Sequence, residues 1–546
     1  MKRRNFIKLS ASASVVGLTP FQLQAALKSF VPFANCPDIS NRKLVLINLA
    51  GANDGLNTII PLNQYDIYSN LRPTIKVPES GTNKYITLDT SLPSNQQIGL
   101  NPALTGFKSL YDNDLLHIMQ SVGYPSQNKS HFKSTDLYLS GNDGNSLLNG
   151  GDTGWIGRFM EQYYADSILE PFPLAVEIGS NKTSLGFHAE EAHGLSLNIT
   201  GQDPAGFYSV LNGLGGARPT NIPDSDYGKQ LEFINDTDNL SNTYAQSISN
   251  AFNSGKNDEN YPDTDISNQL KTVARLISGD LGSKVYMVRL SGFDTHNAQV
   301  QGAGNVIGRH HDLLTELSGA IEAFTKDLEN QNLADDVVGI TFSEFGRKAA
   351  ENGNFGTDHG EIAPMFMFGK PVAGGVSGTN PDLTEATNSN NFQIQTVQYD
   401  YRQTFATLLQ DFLGAEDSII NTTFFNHTIN DSFTNLKLDN ILKDEFKLDS
   451  ACFGGALSTT TNESIDKRWL VYPNPFRDSV NISGIDNGNT TLNYKIYNSS
   501  GVLIISDTGT ITNGKLTLNL FHLSRGVYIF EIYAGGNKET HKTIKI

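Results

Sequence analysis

Five short stretches of this 546-residue sequence combine acids, imidazoles and a hydroxyl at spacings that suit metal or ester chemistry. Gly51-Ala52-Asn53-Asp54-Gly55 frames an aspartate with glycines, which permits close backbone approach and offers a hard oxygen ligand. The same motif also makes a common tight turn. In Gly292-Phe293-Asp294-Thr295-His296, Asp294 and His296 can both reach one cation if the backbone is extended; otherwise Asp294 caps a helix. Glu344, in Ser343-Glu344-Phe345-Gly346-Arg347, ends a buried strand and needs a partner, for which a metal or Arg347 would serve. His359 lies in the glycine-rich stretch Gly356-Thr357-Asp358-His359-Gly360. Ser130-His131-Phe132 reads as the start of a helix, where free amides and the helix dipole favour an anionic group. Ser130 is there either a nucleophile or an N-cap, and His131 either an acid/base or a structural residue.

The elements that must hold these motifs read as alternating strands and helices. Nearly continuous apolar runs at Lys43–Leu49, Leu115–Met119, Leu174–Ile178, Lys284–Val288, Val337–Phe342 and Met365–Phe368 suit buried parallel strands. Helical spacing links Leu313, Leu314, Leu317, Ile321 and Phe324, and again Phe405, Leu408, Leu409 and Phe412 before Gly414. The expectation is an α/β domain with a mostly parallel sheet over residues 35–453, with ligand sites at the carboxyl ends of its strands. Residues 454–468 have a Gly/Ser/Thr/Asn linker composition, and short alternating runs over 469–546 predict a small C-terminal β-sandwich. The Asn- and Asp-rich segment Pro219–Ser267 reads as a surface insertion.

A formal net charge of −17 argues against nucleic acid or an anionic membrane as partner. The Ser10–Ala26 run is interrupted by Ser, Thr, Pro and Gln, so it reads as an export segment and not as a stable transmembrane anchor.

Lys2-Arg3-Arg4-Asn5-Phe6-Ile7-Lys8 resembles a twin-arginine export signal, placing an export leader over residues 1–34 with cleavage near Gln24-Ala25-Ala26. Tyr472-Pro473-Asn474-Pro475, Leu523-Ser524-Arg525-Gly526-Val527-Tyr528 and the final Lys542–Ile546 resemble the C-terminal sorting domain of the type IX secretion system of Bacteroidetes. These resemblances imply the twin-arginine translocon and the type IX machinery as export partners, and a secreted or surface location after periplasmic transit. In an oxidising destination Cys36 and Cys452 are expected to pair; two free thiols are the alternative.

From Leu44 to Gly414 the ordered motifs Gly51–Pro61, Ser130–Gly141, Gly154–Arg158, Gly292–His296, Ser343–Arg347, Thr357–Gly360 and Asp400-Tyr401-Arg402 resemble the bacterial domain-of-unknown-function 1501 family of the alkaline phosphatase and sulfatase superfamily. The resemblance implies an alkaline-phosphatase-like fold and one or two divalent ions, zinc foremost. It implies Asp54, Asp294, His296, Glu344 and His359 as ligands, with Ser130 nearest the nucleophile. Arg347 or Lys129 would neutralise charge on an anionic ester or polysaccharide substrate. The expected carboxylate-His pair appears here as Glu344-Phe345, which implies that one metal site is altered, singly occupied or lost. Three functions follow: a metal-dependent hydrolase of phosphate or sulfate esters, a non-catalytic surface binding protein that keeps the fold, or a metal hydrolase in which water attacks.

Overall fold

The computed structural model describes residues 36–145, 152–168, 170–179, 184–190, 192, 196–199, 225, 241–424, 437–453, 469–472, 474, 476–484, 491–498, 503–511, 515–534 and 537–545. The twin-arginine signal, its cleavage region and the 454–468 linker lie outside the described residues.

Nine strands build the main sheet: β1 (Lys43–Ala50), β2 (Leu116–Gly123), β3 (Ala175–Ile178), β4 (Ser196–Ile199), β5 (Val285–Ser291), β6 (Val337–Phe342), β7 (Ala363–Phe368), β8 (Gly375–Ser377) and β9 (Tyr399–Asp400). They lie in the order β8-β2-β7-β6-β1-β5-β3-β4, with β9 also paired to β2. Every pairing is parallel except those of β7, which runs against β2 and β6. All six apolar runs expected as strands are strands, but Met365–Phe368, expected to be parallel, lies in the antiparallel β7.

The sheet is buried on both faces because both faces of its strands are apolar. Along β1, Leu44 and Leu46 enter one core while Val45, Ile47 and Leu49 enter the other. Helices α1 (Thr105–Asp112), α4 (Asp265–Ser278) and α5 (Arg309–Asn330) cover the second face, through residues such as Phe107, Leu270 and Leu317. Helices α2 (His131–Ser140), α3 (Trp155–Tyr163) and α6 (Tyr401–Thr407) cover the first, through Leu137, Trp155 and Phe405.

Two local expectations are corrected. The Phe405–Phe412 periodicity forms α6 followed by a π-helical turn over Leu408–Phe412, not one α-helix. Residues 241–254 are helical and bury Tyr244, Ala245, Ile248 and Ala251, so this part of the proposed insertion belongs to the packed body. Its polar composition hid an apolar stripe at helical spacing.

A disulfide joins Cys36 to Cys452, with Cα atoms 5.6 Å apart. At the C-terminus, a three-stranded and a four-stranded antiparallel sheet enclose a separate core that includes Trp469, Phe476, Ile482, Ile496, Phe530 and Ile532. This is the expected small sandwich. Among the described residues no helix is long and apolar enough to cross a membrane.

Candidate metal centre

The parallel strands and the one reversed strand bring the motifs to one edge of the sheet. Asp294 and His296 follow the carboxyl end of β5, Glu344 follows β6, and His131 opens α2 after β2. His359 closes a hairpin of Arg347–Glu351 with Thr357–His359, just before the amino end of the reversed β7. Gly51 makes the close approach possible: its φ is +116°, and a Cβ there would lie 2.4 Å from the backbone nitrogen of Asp294.

Ligand atoms of His131, Asp294 and His359 lie within 4.8 Å of one another. Around Asp294 Oδ1, the Nε2 atoms of His131, His296 and His359 stand at 3.4, 3.3 and 3.5 Å. Tetrahedral ligands about 2.0–2.1 Å from a zinc ion would be about 3.3–3.4 Å apart. His296 joins this group through Asp294 and through a 2.9 Å contact between its Nε2 and that of His359.

Each imidazole is oriented from behind. His359 Nδ1 is 2.9 Å from the Lys129 carbonyl, which can only accept, so Nδ1 carries the proton and Nε2 keeps its lone pair. His131 Nδ1 faces Glu344 Oε1 at 2.8 Å, and His296 Nδ1 faces Asp358 Oδ1 at 3.2 Å, so in the neutral form of each ring the proton again sits on Nδ1 and the lone pair on Nε2. Two lone pairs then meet between His296 and His359, and they repel unless a proton or a cation lies between them. The His131 Nε2 atom is buried without a hydrogen-bond partner, its contact with Asp294 being a charge approach only. The donor set, its tautomers and its spacing therefore fit a divalent cation. Phe345, itself buried, packs against the rings of both His131 and His359, at 4.9 and 4.8 Å between centroids.

The electrostatics follow from these partners. His131 has its pKa raised, first by its hydrogen bond to Glu344. Burial pushes His359 down. Burial alone would raise Asp294, but the hydrogen bond and charge of Arg347 hold it below the usual carboxylate range.

Three of the expected residues are held by other partners. Asp54 is wholly buried, and its Oδ2 accepts from Arg72 Nη1 and Gln299 Nε2, each at 2.6 Å, so a guanidinium takes the place expected of a cation. Glu344 uses Oε1 both for the backbone nitrogen of Gly51 and for His131 Nδ1, and adjoins the cluster through that imidazole. Arg347 is a buried clamp, donating to the carbonyls of Gly51, Ala52, Phe293 and Thr357 and, at 2.7 Å, to Asp294 Oδ1. That leaves it unable to swing toward a substrate. Ser130 precedes α2, is exposed, and makes no side-chain capping bond. Asp358, which orients His296 at 3.2 Å, carries no signal of that contact in the sequence beyond adjoining His359 in the glycine-rich motif.

Residues 178–413 match the family model described as "Protein of unknown function (DUF1501)". The match spans less than half the chain and includes Asp294, His296, Glu344 and His359, but not His131. Residues 470–546 match the "Secretion system C-terminal sorting domain", which marks the protein as secreted or surface-located and as a client of type IX secretion. No curated protein matches the chain. Among solved structures, a protein in the alkaline phosphatase superfamily from Vibrio parahaemolyticus is 9% identical, with 97% of this chain and 85% of that one covered and a TM-score of 0.29. The PsFucS1 sulfatase from Pseudoalteromonas sp. is 11% identical, with 92% and 88% covered and a TM-score of 0.31. A lipoteichoic acid synthase, LtaP, from Listeria monocytogenes is 9% identical, with 63% and 71% covered and a TM-score of 0.28. Likeness at this level assigns no activity.

Proposed function

We propose that this protein is a secreted or cell-surface hydrolase of phosphate or sulfate esters that depends on one divalent cation, zinc by its donor set, exported through the twin-arginine translocon and then the type IX machinery. The reading is carried by one observation: three imidazoles tied at Nδ1 converge through Nε2 on Asp294 Oδ1 within 3.3–3.5 Å. His131, Asp294 and His359 would hold the cation, with His296 beside them. Bound there, the cation would polarise the ester and offset charge developing in the transition state.

The chain's own residues supply the rest. The exposed Ser130 hydroxyl, unspent on capping, is the candidate nucleophile, and the N-terminus of the ten-residue α2 presents amides that favour an anionic ester. Lys129, paired with Glu361 at 2.8 Å, and Lys348, 3.3 Å from Asp358, are the cations at the rim. They replace Arg347 as the groups available to an anionic substrate, because Arg347 is fully engaged.

A binding protein without catalysis is the second reading. It is favoured by the Arg347–Asp294 pair at 2.7 Å and by the His296–His359 contact, since a single shared proton would satisfy the cluster without metal. The deciding measurement is metal content by mass spectrometry on wild type beside Asp294→Asn, followed by ester hydrolysis by wild type and Ser130→Ala. Stoichiometric metal that is lost in Asp294→Asn, with hydrolysis lost in Ser130→Ala, is the expected result. Folded wild type that takes up no metal after resupply would leave the binding reading. Hydrolysis that survives in Ser130→Ala would assign the attack to water.

A further inference from the structure

Behind the candidate centre lies a sealed polar network whose residues touch no open surface. Asp54, Arg72, Gln299, Thr295 and Thr357 are all 0–1% exposed. Burying so many polar groups is costly unless they find partners, and here every side-chain polar atom but Asp54 Oδ1 does. Gln299 stands at the crossing. Its Nε2 donates to Asp54 Oδ2 at 2.6 Å, while its Oε1 accepts from the hydroxyls of Thr295 and Thr357, each at 3.0 Å.

Those two threonines belong to different ligand-bearing segments. Thr295 sits between Asp294 and His296, and Thr357 sits two residues before His359. A backbone bond from Thr357 N to Thr295 O, 3.2 Å long, joins the same two segments directly. Arg72 meanwhile bonds Asp54 and the carbonyls of Ala349 and Lys348, on the hairpin strand paired with Thr357–His359.

We infer that Gln299 is a positioning residue for the metal centre, through which the Arg72–Asp54 pair sets the separation of Asp294 and His296 from His359; the inference rests on the metal reading above. An amide is suited to this task because its two ends differ. The oxygen must face two hydroxyl donors and the nitrogen must face the carboxylate, so only one orientation satisfies all three bonds. Asp54, expected to bind a cation directly, thereby acts on the centre from one residue behind it.

The test is zinc affinity by chelator competition on the full chain, with the visible absorption of the cobalt-substituted protein as a second readout. Gln299→Met keeps the volume and removes all three bonds. It is expected to bind zinc about 10–100-fold more weakly, the range typical of lost outer-sphere partners, and to shift the cobalt bands. Thr357→Val, a smaller change of nearly equal volume, is expected to lose about threefold or more while shifting the bands in the same direction, and it decides the matter if Gln299→Met fails to fold. Folded variants that match wild type in zinc affinity and cobalt spectrum would overturn the inference while leaving the metal centre intact. Wild type that binds neither metal would overturn both.

Discussion

Two aspartates near the ends of adjacent parallel strands meet opposite fates in this fold. Asp294 after β5 is 47% exposed at its side chain and faces three imidazole nitrogens beside the Arg347 guanidinium, whereas Asp54 after β1 is 0% exposed and faces a guanidinium and an amide. The two stand behind similar glycine-framed motifs, so residue type and spacing do not separate them. Each meets a buried arginine, Arg347 for Asp294 and, delivered by the helix at Tyr65–Leu71, Arg72 for Asp54; what separates them is the imidazoles and the opening to solvent around Asp294. A carboxylate sealed away from solvent with its arginine belongs to the framework, while one left half open among imidazoles is available to an ion.

The sharpest way to break this contrast is to remove the arginine. Arg72→Met strands a buried charge and is expected to cost about 3–5 kcal/mol, read as a lowered denaturant midpoint. A loss below about 1 kcal/mol would mean that Asp54 is not held as a framework ion. At the open aspartate the pattern should invert. Asp294→Asn weakens the pair with Arg347 but keeps an oxygen for it and leaves that arginine its four carbonyl partners, so metal-free stability should fall by about 1–2 kcal/mol, less than for Arg72→Met. Its zinc affinity should fall by at least the ~10–100-fold that lost outer-sphere partners bring. Equal metal affinity in the variant would remove Asp294 from the centre.

Acid sharpens the comparison further. His310 is wholly buried, bonds Asn53 Oδ1 at 2.9 Å, and burial lowers its pKa from 6.5 to about 4. Between these values the unfolded chain holds the extra proton, so stability should fall as pH drops from 6.5 toward 4, on the order of 1.4 kcal/mol per pH unit from this group. His310→Gln can keep a donor to Asn53 without titrating, and its unfolding free energy should slope less steeply over that window. Identical slopes would exclude His310. The smallest effect is expected at Ser130→Ala. The hydroxyl makes no capping bond, so the usual loss of about 1 kcal/mol should be absent and thermal unfolding should move by less than about 0.5 kcal/mol.

Much of this was legible in the residues. The β1 run Lys43–Leu49 and the α5 stripe Leu313–Phe324 announce themselves because each buries an unbroken apolar surface of the right period. His131, Asp294, His296 and His359 were visible as candidates because strand ends converge on one edge of a parallel sheet. Their roles were less visible. Whether Glu344 meets a metal or an imidazole, and whether Arg347 meets a substrate or four carbonyls, depends on ångström-scale partners contributed by remote segments. Gln299 was missed because a lone glutamine in a polar stretch has no pattern. Its meaning comes from Thr295 and Thr357, which the fold alone brings together.

The Cys36–Cys452 bond has a consequence of another kind. It turns the whole central body into a closed covalent ring, with the sorting sandwich attached outside it as a pendant. A protease that cuts any loop of that ring opens it without releasing a fragment, so the halves stay tethered and the centre keeps its ligands from both sides. A cut in the 454–468 segment, by contrast, frees the body from the sandwich in one event.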